Sequence, residues 1–159
     1  MKRRIITIVM FALVLIFTTV CHAESIVKLS PHVSICQNST NGVFIKNNGR
    51  MLVVYGVPGG RLKKADKVLF THSRRNVVWA GRQLVENGAE SVVPAGEADN
   101  FSKTNDFWTS FAKARFHDYQ QQNTKVPIIP LRVDREVGEG DTINWQDLEI
   151  KVIDTPGYT

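Results

Sequence analysis

Six consecutive residues, Thr71-His72-Ser73-Arg74-Arg75-Asn76, carry the densest set of chemically useful side chains in the sequence. His72 offers an imidazole, which can hydrogen-bond, bind a metal or move a proton near neutral pH. Arg74 and Arg75 offer two guanidinium forks, suited to carboxylate or phosphate, and are the candidate ligand-binding residues. Solvated surface arginines are the plainer reading of the same pair. Asn76 carries an amide that can hydrogen-bond or cap a helix but is neither a general base nor a good zinc ligand. Other stretches offer less. The glycines between Gly56 and Gly60 are not followed by Gly-Lys-Ser/Thr, so they do not form a phosphate-binding loop. Phe107, Trp108, Phe111 and Tyr119 recur at helical spacing and read as core, and His117 lies among charges on the same helix.

The elements that must position this stretch follow from the flanking pattern. Val68-Leu69-Phe70 is a continuous apolar run, as expected of a strand covered on both faces, so Thr71 and His72 stand at a strand end. Val77, Val78, Ala80, Leu84 and Val85 predict a helix that Asn76 or a neighbour caps and Gly88 stops. Ser91 to Val93 is a second short strand, and a strand, helix, strand unit of this length implies parallel pairing. Upstream, Val43 to Tyr55 reads as two strands around Asn47-Asn48-Gly49-Arg50, a β-hairpin. Ser25 to Val33 predicts a single strand or extended lead-in, and Gln37 to Gly42 a polar turn. Downstream, Ala95 to Asn105 reads as a loop bearing Glu97 and Asp99, Asp106 to Gln122 as a long helix, and Val126 to Pro130 as extended. Leu131 to Asp134 leads to a tight turn over residues 137–142, and Ile143 to Ile153 forms a second hairpin around Gln146-Asp147.

The N-terminus predicts export. Lys2, Arg3 and Arg4 precede an apolar stretch from Ile5 to Val20, and Cys21-His22-Ala23 offers a small residue at a cleavage point. Residues 1–23 are read as a signal peptide and 24–159 as one domain. The apolar stretch is short of the roughly 20 residues that span a bilayer, so membrane attachment arises only if this segment stays uncleaved. Three of the 20 basic residues and none of the 15 acidic ones lie in the leader, which leaves the remainder at +2 and makes no case for nucleic acid. Cys36 is then the domain's only cysteine and is expected to be buried rather than reactive.

The order of these pieces resembles the first half of the metallo-β-lactamase fold. Four stretches carry the likeness: the hairpin Val43 to Tyr55; Val68 to Gly81, set against that family's His-x-His-x-Asp-His motif; Gly138-Glu139-Gly140-Asp141 with Leu148 to Val152; and Asp154-Thr155-Pro156-Gly157-Tyr158-Thr159, set against Asp-Thr-Pro-Gly-His-Thr. The match runs over nearly all of Thr40 to Thr159. It implies an α/β fold, the N-terminal αββα half of a four-layer sandwich, with a mixed sheet and helices on one face. It also implies the family's zinc chemistry, in which bound metal lowers the pKa of water to about 7.

Residue by residue, the resemblance places His72 at the first histidine, which makes it the candidate metal residue. Arg74 falls at the second histidine, Asn76 at the aspartate, Val77 at the last histidine and Tyr158 at the third metal-binding histidine. Val54 lies near the aspartate of the first hairpin. Zinc is thus the family's cofactor, and the expectation is that it is not bound. The family's fold has a second half of similar length, so a partner chain or further C-terminal sequence is expected to complete this one. Three functions follow as expectations: an exported member-like protein without a working dinuclear site; a metal-dependent hydrolase of esterase, lactamase or thioesterase type whose site is rebuilt or completed by further sequence; and a module that binds an anionic ligand through Arg74 and Arg75.

Overall fold

The structure, a computed structural model, describes residues 25–57, 62–106 and 129–155. The predicted leader, the predicted helix beyond Asp106 and Tyr158 lie outside the described residues. Seven strands form one sheet in chain order: β1 (Ser25–Lys28), β2 (Val33–Gln37), β3 (Gly42–Asn47), β4 (Arg50–Val54), β5 (Lys67–Leu69), β6 (Glu90–Pro94) and β7 (Arg135–Val137). The first four pair antiparallel and β4 to β7 pair parallel, so the sheet is mixed. The helix α1 (Arg75–Glu86) links the parallel neighbours β5 and β6.

The β3–β4 hairpin forms where the Asn-Gly pair predicts it. Asn48 and Gly49 take φ of 48° and 75°, the left-handed pair that matches a tight hairpin to strand twist, and Phe44 then faces Val53. Ahead of it the single predicted strand is two. The chain reverses between β1 and β2 because the Ser30 hydroxyl accepts the N–H groups of His32 and Val33 while Leu29 N donates to Val33 O at 2.9 Å. Weak alternation that continues across Ser30-Pro31 reads as one extended segment and hides the reversal.

Alternation sorts the sheet's two faces. Val53, Val68 and Val93 meet Phe70, the apolar side of α1 (Val77, Val78, Leu84, Val85), and Phe101 and Leu131. Phe101 belongs to a short helix, α2 (Ala98–Ser102), which follows a single 3₁₀ turn at Ala95–Glu97. The predicted Ala95–Asn105 loop is therefore corrected. Its polar surface residues masked one fully buried anchor, Phe101, which packs on Phe70 with ring centroids 5.4 Å apart. On the other face Val92, Val137 and Ile143 meet Leu69, Ile150 and Val152. Ile143 and Ile150 come from the second hairpin, β8 (Thr142–Trp145) with β9 (Leu148–Lys151), which forms its own small sheet. Helices thus cover one face of the large sheet and a β-hairpin the other, as the α/β reading requires. Cys36, on β2, is buried at 1% exposure.

Two polar devices hold the parallel half together. Ser91 is fully buried; its N–H donates to Asp134 Oδ2 at 2.8 Å and its hydroxyl to the Arg132 carbonyl at 2.5 Å, which fixes the approach to β7. Arg82, on the buried side of α1, donates to the carbonyls of Ile129 and Pro130. Neither β7 nor these clasps has a sequence signal, because both depend on which strands become neighbours.

Candidate functional site

The six residues of interest lie where β5 ends and α1 begins, at the C-terminal end of the parallel strands, the edge at which α/β sheets present ligand groups. Val68 and Phe70 are anchored in the core, and Phe70 N donates to Val92 O at 2.9 Å, so the chain leaves the sheet at Thr71. Helix α1 opens on Arg74, whose carbonyl accepts the N–H groups of Val77 and Val78, each at 3.0 Å. Arg74 makes no side-chain cap, and Asn76 is not the cap that its residue type suggests. It sits inside the first turn, and its Nδ2 donates to Thr40 Oγ1 at 3.3 Å.

The loop brings His72 and Arg74 together, and Arg75 follows as the first residue of α1. The His72 Nδ1 accepts the Arg74 backbone N–H at 3.3 Å. A backbone N–H can only donate, so the neutral ring carries its proton on Nε2. Burial holds the imidazole below the ordinary histidine value; the Glu97 carboxylate opposes that and the Arg74 charge reinforces it. The Tyr55 ring lies 5.7 Å from the His72 ring, tilted by 45°, and the Tyr55 hydroxyl bonds the Thr71 hydroxyl. Ser73, between His72 and Arg74, is buried; its N–H donates to Glu97 Oε2 at 2.5 Å and its hydroxyl accepts Asn100 Nδ2 at 3.1 Å.

Sequence reasoning missed Tyr55, Thr40, Glu97 and Asn100. Tyr55 had one usable signal, the glycine after it. Its φ is 69°, unusual for a bulky side chain, and Gly56 N bonds back to Val54 O at 3.0 Å, closing a γ-turn that is normally strained. Helix α1 packs directly on that turn. A β-carbon at Gly56 would lie 2.7 Å from Ala80 O, and one at Gly81 would meet Tyr55 O. Close backbone contact of this kind needs glycine on both sides.

No family model and no curated protein matches the sequence. Solved structures do. The metallo-β-lactamase GOB-18 from Elizabethkingia meningoseptica is similar with a TM-score of 0.64 at 12% identity, over 86% of this chain and 53% of that one. A β-lactamase from Chitinophaga pinensis gives 0.63 at 17% identity, over 84% and 53%. A metallo-β-lactamase with a HARLDQ motif from Cronobacter sakazakii gives 0.58 at 14%, over 84% and 53%. The chain has the metallo-β-lactamase fold. It spans about half the length of the solved metallo-β-lactamases it matches. Identity this low carries the fold alone.

The residues at this loop do not fit the metal that the metallo-β-lactamase fold implies. A guanidinium stands at Arg74, an amide at Asn76 and an aliphatic chain at Val77, none of which supplies an anionic or imidazole donor. Among the described residues no group of three or more His, Cys, Asp and Glu side chains is placed to hold a metal ion. The side chains that the loop carries in those places, two guanidiniums and an amide, are hydrogen-bond donors rather than metal ligands.

Proposed function

We propose that this protein is an exported metallo-β-lactamase-like protein whose β5–α1 loop does not assemble a dinuclear metal centre. The observation that carries this reading is Asn76. The residue at the carboxylate position is a neutral amide, and it is engaged with Thr40 at 3.3 Å. Arg74 weighs less. The Cronobacter protein is a metallo-β-lactamase with a HARLDQ motif, in which arginine also stands two residues after histidine. The corresponding stretch here, His72-Ser73-Arg74-Arg75-Asn76-Val77, shares that histidine and arginine but has Asn76 where that motif has aspartate. The test is metal analysis of the full chain purified without chelator. We expect less than about a tenth of an equivalent of zinc or iron, unchanged in His72→Ala. Stoichiometric metal that disappears in His72→Ala refutes the reading and favours a metal-dependent hydrolase, completed by further sequence or a partner chain. Export rests on the basic and apolar leader of residues 1–23, and intact-mass measurement of secreted material beginning at Glu24 tests it.

A second reading is favoured by the opening of α1. Its first turn holds no acidic residue and no side-chain cap, and Arg74 and Arg75 stand there. Helix N-termini and guanidiniums both favour anions, so this face is proposed to bind a carboxylate- or phosphate-bearing ligand. Titration with inorganic phosphate is expected to shift the Arg74, Arg75 and Asn76 amide resonances in the wild type and not in the Arg74→Ala, Arg75→Ala double variant. Equal shifts in both proteins dismiss it.

A further inference from the structure

A metal that joins ligand residues from several strand ends also helps to order the loop that carries them. The β5–α1 loop has other cross-links, and they come from both sheet neighbours of β5. From the β4 side, Tyr55 bonds the Thr71 hydroxyl and lays its ring beside His72. From the β6 side, Glu97 and Asn100 take Ser73 by its N–H and its hydroxyl, at 2.5 and 3.1 Å. Ser73 is 8% exposed and lies between the two residues whose side chains define the site, so fixing Ser73 fixes both. The Glu97 bond is charge-assisted, the stronger class of hydrogen bond. It is also cheaply placed: Glu97 ends the 3₁₀ turn after β6, and β6 is the parallel neighbour of β5. Phe101, fully buried one helical turn beyond, holds that segment against the core.

We infer that Glu97 is the positioning residue of this site, and that its grip on Ser73, with Asn100, holds His72 and Arg74 in one arrangement in the absence of metal. The inference rests on the reading that the loop assembles no metal centre. It explains why a loop lacking that centre keeps the His72 Nδ1 to Arg74 N–H bond, which requires Ser73 to turn the chain tightly. Glu97 acts through Ser73 and is assigned no contact with a ligand.

Backbone amide exchange in the full chain, after dialysis against chelator, tests this directly. The Ser73 and Arg74 amides are expected to be protected in the wild type. Glu97→Gln keeps an acceptor oxygen and is expected to leave their exchange within about threefold, whereas Glu97→Ala speeds it about tenfold or more, the loss of one charge-assisted bond. The Phe70 amide, bonded to Val92 O, reports the sheet and is expected to stay unchanged. Ring ¹⁵N shifts of His72 supply a second readout: a pure Nε2–H form in wild type and Glu97→Gln, and a tautomer mixture in Glu97→Ala. Unprotected loop amides in the chelated wild type overturn the inference. So does unchanged exchange in Glu97→Ala, and so does equal loosening at Phe70, which marks fold support rather than positioning. If Glu97→Ala does not fold, Asn100→Ala is the substitute: it is expected to speed Ser73 exchange severalfold, and no change overturns the inference. Stoichiometric metal in undialysed protein refutes the metal-free reading on its own, whatever the exchange rates are.

Discussion

Replacing Gly81 with alanine sets helix propensity against packing, and the structure fixes the sign. Gly81 lies inside α1, where alanine in place of glycine gains about 1 kcal/mol from propensity alone. An added β-carbon would lie 2.5 Å from Phe70 Cζ and closer still to the Tyr55 carbonyl oxygen, whereas ordinary contact is 3.4–4 Å. About 1 Å of overlap must therefore be relieved. Phe70 cannot yield easily, being 3% exposed and packed against the tilted ring of Phe101. The Tyr55 oxygen is backbone, and the adjoining Gly56 has no room for a β-carbon beside Ala80 O. Helix α1 must lift instead, away from Val53, Val68 and Val93. Overpacking costs typically 1–3 kcal/mol, and a backbone contact belongs at the upper end, so the net expectation is a loss of about 2 kcal/mol. For a chain of this size that lowers Tm by about 6 °C. Urea unfolding followed by circular dichroism measures it, with Gly96→Ala as control, because a β-carbon added there would meet nothing within 4 Å beyond its own chain neighbours. A Gly81→Ala protein as stable as the wild type, or more stable, refutes the account of how α1 seats on the Tyr55 turn.

Two further expectations concern the polar clasps. Arg82→Met keeps the apolar stem of the side chain but leaves the Ile129 and Pro130 carbonyls without their donor, and is expected to cost about 1.5–3 kcal/mol. Glu86→Ala, which removes only the exposed partner of the 3.4 Å ion pair, is expected to cost under about 0.5 kcal/mol; a comparable loss from both variants contradicts this assignment. Asp134 supplies a pH expectation. Burial pushes its carboxyl up, but hydrogen bonds from the Ser91 N–H and Arg132 and the Arg132 charge outweigh that and hold it below the usual range. The folded value lies under the unfolded one, so its stabilisation is present above about pH 4 and is lost as pH falls further. Asp66, held low in the same net sense by Arg50 and the Met51 N–H against the effect of burial, acts in the same direction. Asp134→Asn is therefore expected to flatten the fall of unfolding free energy below pH 4 relative to the wild type; parallel curves dismiss the role.

What was legible in the sequence was whatever is written locally. The Asn48-Gly49 pair declares its own hairpin, because few other residues accept two consecutive left-handed conformations. The α1 face was legible in Val77, Val78, Leu84 and Val85, and its stop in Gly88, whose φ is 100°. Strand β7 was not, because its three residues include two charged ones, and it is recruited by Ser91 and Asp134 across a gap of 43 residues. The helix α2 was hidden for a similar reason: its short, polar sequence shows no helical periodicity, and its buried Phe101 has meaning only beside Phe70.

The candidate site divides along the same line. His72, Arg74, Arg75 and Asn76 are adjacent in sequence and were found as a group, whereas Tyr55, Glu97 and Asn100 reach them only through the sheet order β4-β5-β6. That difference matters for judging what the loop does. Residue types alone describe His72 as a hydrogen-bonded loop histidine left over from an ancestral site, without saying what holds it. The neighbours supply that: a strained turn at Tyr55, a buried Ser73 with both its N–H and its hydroxyl engaged, and an imidazole Nδ1 that accepts the Arg74 N–H. A positive φ at a tyrosine costs on the order of 1–3 kcal/mol and persists only where surrounding contacts over-determine it. Here the close approach of α1 at Gly56 and Gly81 over-determines it, and the product of that strain is the Tyr55 ring beside His72. The β5–α1 loop is thus a built structure, held from both of the strands that flank β5.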